Sequence, residues 1–386
     1  MLEGVNVALG VSGSIAAVKT VELAHELRRR GAAVRAVTTD AATGIIHPWA
    51  LEFATENDVV TEITGRVEHV ELCGRDGWAD VLLMAPATAN TVGKVAAAVD
   101  DTPVTTCATV ALGADVPVVV APAMHEPMYD HPGVLESLDR LEEWGVSFVD
   151  PRVEEGKAKI ATEADIVTET ARAAGPDPLD GRHVVVTSGA TTERIDPVRV
   201  LTNRSSGRTG RAVARACYAH GADVTLVHDG PDVSYATVER VESAAEMLAG
   251  VLEHADGADA LVSAAAIGDY TVAESDGKLR SGQELTLELQ PTPKLIDTVR
   301  EEHPDLTVVG FKLETAGDDE ALVARARRTL ERAGLAFVVG NDATVLGSEE
   351  TRTLFVRESG TTEFVGSKDE LGLRIAAELA DELDGA

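Results

Sequence analysis

The chain has 386 residues, of which 44% are hydrophobic, and this composition predicts a globular protein of two or three domains. Its 65 acidic residues outnumber its 34 basic ones and give a formal net charge of −31, which disfavours binding to nucleic acid or to anionic membranes. No apolar run approaches the length of a membrane span and no signal-peptide pattern follows Met1, so we expect a cytoplasmic protein.

The acidic excess predicts adaptation to very high salt, where the Debye length falls to about 3 Å or less and like-charge repulsion is screened. Lysine is scarce, which makes the few that occur worth inspecting. The eight lysines are Lys19, Lys94, Lys157, Lys159, Lys278, Lys294, Lys312 and Lys368. Three cysteines, Cys73, Cys107 and Cys217, are too few for a disulfide framework or a metal knuckle, and we expect free thiols.

The first predicted unit begins with an apolar strand over residues 5–9, a turn of small residues, and a helix up to Arg30 with Gly31 as its cap. Apolar runs at 81–84 and 116–121 predict further strands. Pro117 does not contradict the second of these strands, because proline is tolerated at the start of a strand. Strands that alternate with helical patterns are typical of a doubly wound parallel sheet.

Residues 173–180 contain Pro and Gly and predict a linker between a first domain, 1–172, and a second, 181–386. The second domain begins with a strand at 183–186, a long loop, and a helix at 211–220 capped by Gly221. Later apolar runs at 260–264, 307–309 and 337–339 again alternate with helical patterns. The fold class predicted from the chain is therefore α/β, with two doubly wound, Rossmann-like parallel sheets.

The loop at 187–210 is the most informative segment, because it connects the end of a strand to the start of a helix, where α/β proteins bind phosphorylated ligands. It combines small residues, which let backbone N–H groups approach an anion, with Arg194, Arg199 and Arg204, whose planar guanidinium groups suit carboxylates and phosphates. Long loops without a function are uncommon in compact domains.

Residues 12–14, 38–39, 85–91 and 122–129 follow the predicted strands, and with these motifs the first half resembles the flavin-dependent cysteine decarboxylase family. The resemblance implies a flavodoxin-like domain with FMN as its cofactor. The implied FMN-binding residues are Ser12, Gly13, Ser14, Thr38, Thr39, Thr88, Ala89, Asn90, Thr91 and Ala123. It also implies that His69 moves protons in the active site, and that FMN oxidises the substrate thiol before CO₂ is lost and then returns the electrons.

The chain departs from this family at two places. His125 stands where bacterial members have an asparagine in the PAM segment, and the resemblance implies a catalytic contact for it because histidine can donate the same hydrogen bond. The segment 154–161 lacks the family's cysteine, which protonates the product. Lys157 or Lys159 either replaces this acid or binds the substrate phosphate, and Cys73 is a further alternative.

The second half carries four separate motifs, at 187–210, 264–270, 309–315 and 340–342, that resemble the phosphopantothenate-cysteine ligase signature. The whole chain thus resembles the bifunctional phosphopantothenoylcysteine decarboxylase/phosphopantothenate-cysteine ligase family of coenzyme A biosynthesis. The resemblance implies that 4′-phosphopantothenate attacks CTP to give an acyl-cytidylate and pyrophosphate, and that the amine of cysteine then attacks the acyl group. Charge on the phosphates implies Mg²⁺ or Mn²⁺.

Residue roles in the ligase half follow from the same resemblance. Asn203 contacts the acyl intermediate, Lys278 the nucleotide, and Asp269 the divalent ion. Arg328 and Arg332 take over from two family lysines, whose positions hold Thr329 and Ala333 here. The other implied substrate or nucleotide contacts are Arg199, Ala265, Ala266, Pro293, Lys294 and Phe311.

The resemblance further implies a homo-oligomer. Its flavin domains would form trimers, which can assemble into a dodecamer, and its ligase domains would form dimers. Three other interpretations compete with the bifunctional enzyme. One is a ligase whose flavin domain is catalytically silent and kept for assembly. The second is an interaction protein of the same fold, which the intact ligase motifs disfavour, and the third is an NAD(P)-binding oxidoreductase domain, which the missing GxGxxG turn disfavours.

Overall fold

The computed structural model describes residues 1–154, 157–282, 284–314, 319–342 and 350–385. The chain divides into two compact units, Met1–Pro176 and Asp177–Ala386, and the division falls inside the predicted linker. Within the described residues, no helix is long and apolar enough to cross a membrane.

The N-terminal unit is built from short strands and helices that alternate along the chain. Its strands are β1 (Asn6–Val11), β2 (Ala33–Thr38), β3 (Val81–Ala87), β4 (Val118–Pro122), β5 (Met124–His125), β6 (Ser147–Phe148), β7 (Arg152–Glu154) and β8 (Lys157–Lys159). Its helices are α1 (Thr20–Arg29), α2 (Asp40–Thr43), α3 (Pro48–Thr55), α4 (Glu68–Cys73), α5 (Ala89–Ala96), α6 (Pro103–Gly113), α7 (Glu126–Tyr129), α8 (Pro132–Glu143) and α9 (Glu163–Ala174).

Five parallel strands form the main sheet of this unit in the order β2-β1-β3-β4-β6. Every residue of β3 and β4 is buried, which explains their nearly continuous apolar sequences. This order is that of flavodoxin-like domains, in which the strand order reverses between the first and third strands and a ligand crevice opens at that point. The predicted flavodoxin-like fold is confirmed.

Local details of the N-terminal unit differ from the sequence prediction. The helix predicted after the first turn begins as a 3₁₀ turn, Ile15–Lys19, before α1. Strand β4 begins at Val118, after Pro117, which has no N–H to donate. A small antiparallel sheet, β5-β8-β7, was not predicted because its strands of two or three residues are too short to show a period.

The C-terminal unit has more strands than the sequence predicted. They are β9 (His183–Thr187), β10 (Thr192–Asp196), β11 (Arg199–Thr202), β12 (Asp223–His228), β13 (Thr237–Arg240), β14 (Ala260–Ser263), β15 (Tyr270–Val272), β16 (Leu289–Pro291), β17 (Thr307–Glu314), β18 (Phe337–Asp342), β19 (Glu350–Arg357) and β20 (Gly360–Ser367). Its helices are α10 (Arg208–Ala219), α11 (Ala244–Ala255), α12 (Leu295–Glu302), α13 (Asp319–Ala333) and α14 (Lys368–Asp384).

The main sheet of the C-terminal unit has the order β13-β12-β9-β14-β17-β18-β19-β20. Its first six strands are parallel and follow the order of dinucleotide-binding domains. Strand β19 is antiparallel to β18, and β20 is antiparallel to β19. The prediction of a second doubly wound sheet is confirmed. The ligand crevice of such a sheet lies beyond the carboxyl ends of its two central strands, here β9 and β14.

The segment 187–210 is not the continuous loop that the sequence predicted. It contains an antiparallel hairpin, β10-β11, and α10 begins at Arg208, three residues earlier than expected. The period of a strand is hidden in this hairpin because its buried residues, Glu193 and Asp196, are charged and three positions apart, with a shift of register between Arg194 and Asp196. Both ends of the segment nevertheless lie where the prediction put them, after a strand and before a helix.

Candidate active sites of the two units

Three loops of the N-terminal unit meet beyond the carboxyl ends of β1, β3 and β4. The hydroxyl of Ser12 donates a hydrogen bond to the carbonyl oxygen of Pro86 at 2.7 Å and accepts one from the backbone N–H of Thr88 at 3.1 Å. The hydroxyl of Ser14 donates to the carbonyl oxygen of Ala123 at 3.2 Å. Three of the four motifs that follow the strands, 12–14, 85–91 and 122–129, are therefore joined directly.

Helix starts surround this crevice. Thr39 caps α2 and Thr88 caps α5, each accepting at 3.2 Å from a backbone N–H of the first turn, while Ser14 caps the 3₁₀ turn. A Cβ atom at Gly13 would lie 2.5 Å from the Cβ atom of Ala41, so only glycine permits the close approach of the first turn to α2. Helix starts favour negative charge, which suits a phosphate group.

Two buried polar atoms at residues of the predicted flavin site have no hydrogen-bond partner among the described residues. The hydroxyl oxygen of Thr38 and Nδ1 of His69 are buried, and neither has a hydrogen-bond partner within the described part of the chain. Buried polar atoms are rarely left unsatisfied, so both indicate that a further group belongs here. Asn90, by contrast, is exposed in the first turn of α5. The small residues, helix starts and unpartnered atoms fit a phosphate-bearing cofactor.

His125 lies on β5, which pairs with β8 so that His125 is directly opposite Lys157 in the antiparallel register. The side chain of Lys157 lies outside the described residues, and the pairing is a statement about its backbone. Lys159 is opposite Arg152 on the other side of β8, and it is half-buried. The loop that lacks the family's cysteine therefore lies beside the PAM segment.

Cys73 is not suited to act as the missing acid. Its side chain is fully buried at the end of α4. A hydrogen bond with Cys73, together with burial, raises the pKa of the Cys107 thiol. The two sulfurs thus face each other in the core, and Cys217 is buried as well, so all three cysteines are free thiols as predicted.

A cavity of about 890 Å³ opens in the C-terminal unit beyond β14 and β17 and beside the start of α10. Seven of the predicted substrate or nucleotide residues line it: Ala265, Ala266, Asp269, Pro293, Lys294, Phe311 and Arg332. Four do not lie among its lining residues: Arg199, Asn203, Lys278 and Arg328. Arg328 is exposed on α13.

The start of α10 forms one wall of this cavity. Gly207 caps the helix with a φ of +68°, a conformation that favours glycine, and it provides no side chain to bind the first N–H groups. A Cβ atom at Gly210 would lie 2.6 Å from the Cβ atom of Ser188 and 2.8 Å from the carbonyl oxygen of Thr187. Glycine therefore lets α10 begin directly against β9, with N–H groups available to an anion.

Asn203 does not line the cavity, but it is hydrogen-bonded to Ala266, which does. Its side-chain amide donates a hydrogen bond to the carbonyl oxygen of Ala266 at 3.1 Å. The same peptide segment is held by Thr187, whose hydroxyl accepts from the N–H of Ala265 at 3.1 Å, and by Gly189, whose carbonyl accepts from Ala266 at 2.8 Å. Asn203 is thus next to the predicted binding segment.

Asp269 and Lys294 form an ion pair, with Nζ of the lysine 2.5 Å from a carboxylate oxygen of the aspartate, and both side chains are exposed. Among the described residues, no group of three or more His, Cys, Asp or Glu side chains could hold a metal ion. Mg²⁺ often takes only one or two carboxylates and completes its shell with substrate phosphates and water. A single carboxylate at the cavity rim fits an ion that arrives with a nucleotide.

Arg199 is bound to Asp196 rather than pointing a free charge into the cavity. Burial of Asp196 acts to raise its pKa, but hydrogen bonds from the N–H groups of Val198 and Leu279 and the charge of Arg199 outweigh it and lower the pKa to about 2. The bond from Leu279, at 3.0 Å, ties the loop that carries the exposed Lys278 to the hairpin.

Arg204, which the sequence analysis names as an anion-binding residue of the long loop, lines the cavity. Three further basic lining residues were given no role by the sequence prediction: Arg208, Lys312 and Lys368. With Lys294, three of the eight lysines of this chain line one cavity, so the scarcity of lysine was the signal that pointed to them. Arg332 also lines the cavity and pairs with Asp297 of α12.

Comparisons with known proteins match both units. A family model described as "Flavoprotein" matches residues 1–175, and one described as "DNA/pantothenate metabolism flavoprotein C-terminal domain" matches residues 179–383. The chain is 49% identical over 361 residues to the "Coenzyme A biosynthesis bifunctional protein CoaBC" of Thermococcus kodakarensis, covering 92% of this chain and 89% of that protein.

A second relative of the same name, from Methanocaldococcus jannaschii, is 35% identical over 381 residues, covering 97% of this chain and 93% of the relative. Among solved structures, the C-terminal domain of a "Coenzyme A biosynthesis bifunctional protein CoaBC" is 27% identical, with a TM-score of 0.47, and the match covers 54% of this chain and 100% of that domain.

Proposed function

Because the chain belongs to the CoaBC family of coenzyme A biosynthesis bifunctional proteins, we propose that its N-terminal unit holds FMN and its C-terminal unit binds CTP with Mg²⁺. The protein is a bifunctional enzyme with phosphopantothenate-cysteine ligase and phosphopantothenoylcysteine decarboxylase activities. A catalytically silent flavin domain, the alternative from the sequence, has no support in these comparisons.

The convergence of Ser12, Ser14 and Thr88 by hydrogen bonds carries the assignment of the N-terminal unit. Backbone N–H groups at the helix starts of this crevice would bind the phosphate of FMN, and the unpartnered hydroxyl of Thr38 would bind another polar group of the cofactor. When bound, FMN supplies the redox chemistry that prepares the substrate for loss of CO₂. His69 moves a proton of the substrate through its ring nitrogens.

Lys157 is our choice for the loop residue that replaces the family's cysteine. Its backbone lies opposite His125, which stands in the PAM segment, whereas Lys159 lies opposite Arg152 at the far side of β8. An ammonium group near the reaction would donate a proton to the product or bind the substrate phosphate. His125 would hold the substrate carboxylate by a hydrogen bond from its ring.

The cavity of about 890 Å³ carries the assignment of the C-terminal unit, because it joins a helix start, three lysines and an exposed carboxylate. The phosphates of CTP would lie at the start of α10, with Mg²⁺ between them and Asp269. The carboxylate of 4′-phosphopantothenate attacks the α-phosphorus and pyrophosphate leaves. The amine of cysteine then attacks the acyl carbon, CMP leaves, and Asn203 holds the acyl carbonyl in place.

We also propose that the chain assembles into a homo-oligomer built on trimers of the N-terminal unit. Two large apolar side chains on α3 support an interface there, since Trp49 is 74% exposed and Phe53 is 75% exposed. Light scattering in molar KCl would measure the mass, and a monomer would contradict the proposal.

The two activities can be tested separately on the purified full chain. Protein supplied with FMN should show a flavin absorbance spectrum and release CO₂ from phosphopantothenoylcysteine. The same protein should form phosphopantothenoylcysteine from 4′-phosphopantothenate and cysteine, with one pyrophosphate released for each CTP consumed and with loss of activity when a chelator removes Mg²⁺. Ligation without CO₂ release would instead favour the silent flavin domain.

A further inference from the structure

The cavity of about 890 Å³ in the C-terminal unit, to which we assign CTP, is called the nucleotide cavity below. A second cleft, of about 310 Å³, lies beside it. Four basic side chains line it, Arg208, Arg211, Arg215 and Lys368, against one acidic side chain, Asp369. These five residues carry a formal charge of +3 in a chain whose net charge is −31. The cleft, which we call the basic cleft, therefore opposes the charge of the rest of the protein.

The basic cleft is continuous with the nucleotide cavity. Arg208 and Lys368 line both of them. Arg211 connects the two as well, because its guanidinium donates a hydrogen bond at 3.0 Å to the carbonyl oxygen of Ser206, a residue of the cavity wall. Arg208, Arg211 and Arg215 recur at spacings of three and four residues, which places them along one face of α10.

The arginines retain capacity to bind an anion. Arg215 is paired with Asp369. Arg208 and Arg211 form no ion pair with any described residue, and the bond to Ser206 uses only one of the five N–H groups that a guanidinium offers. Such unpaired guanidinium groups bind phosphate oxygens through two parallel hydrogen bonds.

We propose that the basic cleft is a binding subsite for inorganic pyrophosphate, which it receives when CTP is cleaved in the adjoining cavity. This inference rests on the proposed ligase function. When the bond between the α-phosphorus and its bridging oxygen breaks, pyrophosphate departs with the electron pair and carries several negative charges. Arg208 at the shared rim, then Arg211 and Arg215, give these charges successive partners that lead away from the acyl-cytidylate.

The test uses full-length Arg211→Gln, because Arg211 lines the cleft and not the nucleotide cavity. Arg374→Gln is the matched control, since Arg374 carries the same charge on α14 and pairs with Glu378 outside the cleft. Titration with inorganic pyrophosphate, in the presence of saturating CMP and constant KCl, should show about tenfold weaker binding in Arg211→Gln, the effect of one charge-assisted hydrogen bond. Arg211→Lys should recover part of it, and Arg374→Gln should match the wild type.

Equal pyrophosphate affinity in the wild type and Arg211→Gln would overturn the proposal, as would displacement of pyrophosphate by an equal concentration of orthophosphate. In the ligase assay, the inhibition constant of pyrophosphate should rise about tenfold in Arg211→Gln and stay at the wild-type value in Arg374→Gln. If the wild type forms no product from CTP, the proposed ligase function fails, whereas the pyrophosphate titration still decides the role of the cleft.

Discussion

At the scale of single residues, His69 is the residue to which the proton transfer of decarboxylation is assigned. It lies in the first turn of α4, half-buried, and its Nδ1 atom has no partner among the described residues. Buried ring nitrogens of His220, His228 and His254 likewise have no hydrogen-bond partner among the described residues, so this feature supports a role for His69 only together with its sequence motif. An Nδ1 atom without a hydrogen-bond partner is consistent with a histidine that exchanges a proton with a ligand.

Replacement of His69 by asparagine should reduce decarboxylation by about 10²-fold or more, the usual effect of losing a proton-transfer group. Ligase activity and FMN content should be unchanged, because the other unit carries the ligase cavity and the FMN phosphate is assigned to other residues. CO₂ release and flavin absorbance measure the two effects. His131→Asn is the control, because His131 caps α8 by accepting from Gly133 and asparagine is a good cap. Unchanged CO₂ release in His69→Asn would show that His69 has another role.

Asn203 and Lys278 should fail at different steps of ligation. Lys278→Gln removes a charge that neutralises phosphate in the first step, so acyl-cytidylate should not form. In Asn203→Asp, Lys278 and its positive charge are still present, but the amide donor that binds the carbonyl oxygen of Ala266 is lost. Pyrophosphate should therefore still be released while acyl-cytidylate accumulates. Mass spectrometry of quenched reactions distinguishes the two, with Arg280→Gln as a control in the same exposed loop. Accumulation in Lys278→Gln alone would mean that the two roles are reversed.

At the scale of elements, the hairpin β10-β11 holds three parts of the C-terminal unit together. Glu193 is buried and accepts hydrogen bonds from the N–H of Ala244, at the start of α11, at 2.8 Å and from the hydroxyl of Thr271, on β15, at 2.7 Å. The carboxylate of Asp196 accepts hydrogen bonds from the N–H groups of Val198 and Arg199 in the hairpin turn and from the N–H of Leu279. Two carboxylates thus replace the apolar contacts that usually attach a hairpin.

The pKa of Asp196, about 2, gives this hairpin a defined pH dependence. Because the folded pKa lies below the ordinary value of 3.8, the stabilisation is complete above pH 3.8 and is lost as the pH falls towards 2. Asp196→Asn should therefore lower the melting temperature by a constant amount between about pH 5 and 8, and by less as the pH falls below about 4. Thermal melts at several pH values measure the difference, and the exposed Asp305→Asn should show none. A difference that grows on acidification would contradict the assignment.

At the scale of the whole molecule, the net charge of −31 dominates the expected behaviour in solution. Many of the arginines form ion pairs at the surface, and Arg352, for example, pairs with both Asp319 and Glu363. Such pairs contribute little individually, and they leave the acidic excess unbalanced. Repulsion within the folded chain must therefore be screened by ions.

The melting temperature should rise as KCl increases from about 0.1 M to above 1 M, because the Debye length falls from about 10 Å to about 3 Å over this range. Light scattering in the same series should show loss of assembly at low salt. Sucrose at equal osmolality is the control, since it does not screen charge. A melting temperature that stays constant or falls with KCl would refute salt adaptation.

Local periodicity and short motifs in the sequence determined the α/β class, the two doubly wound sheets, the glycine caps and the order of the segments that we propose to bind ligands. These features depend on residues close in sequence, such as the alternation of apolar runs with amphipathic helices. The two-carboxylate hairpin and the short β5-β8-β7 sheet gave no such signal, because the hairpin buries charged residues and the sheet's strands are too short to repeat.

Only the tertiary structure decided which distant residues come together. Ser14 binds Ala123 across 109 positions, Lys157 lies opposite His125, and Lys368 from the last helix borders a cavity that begins at α10. Parallel sheets bring the ends of distant strands together, so such contacts follow from topology and not from local pattern. For the same reason, the sequence could list the basic residues of this acidic chain, but only the fold showed that four of them line one cleft.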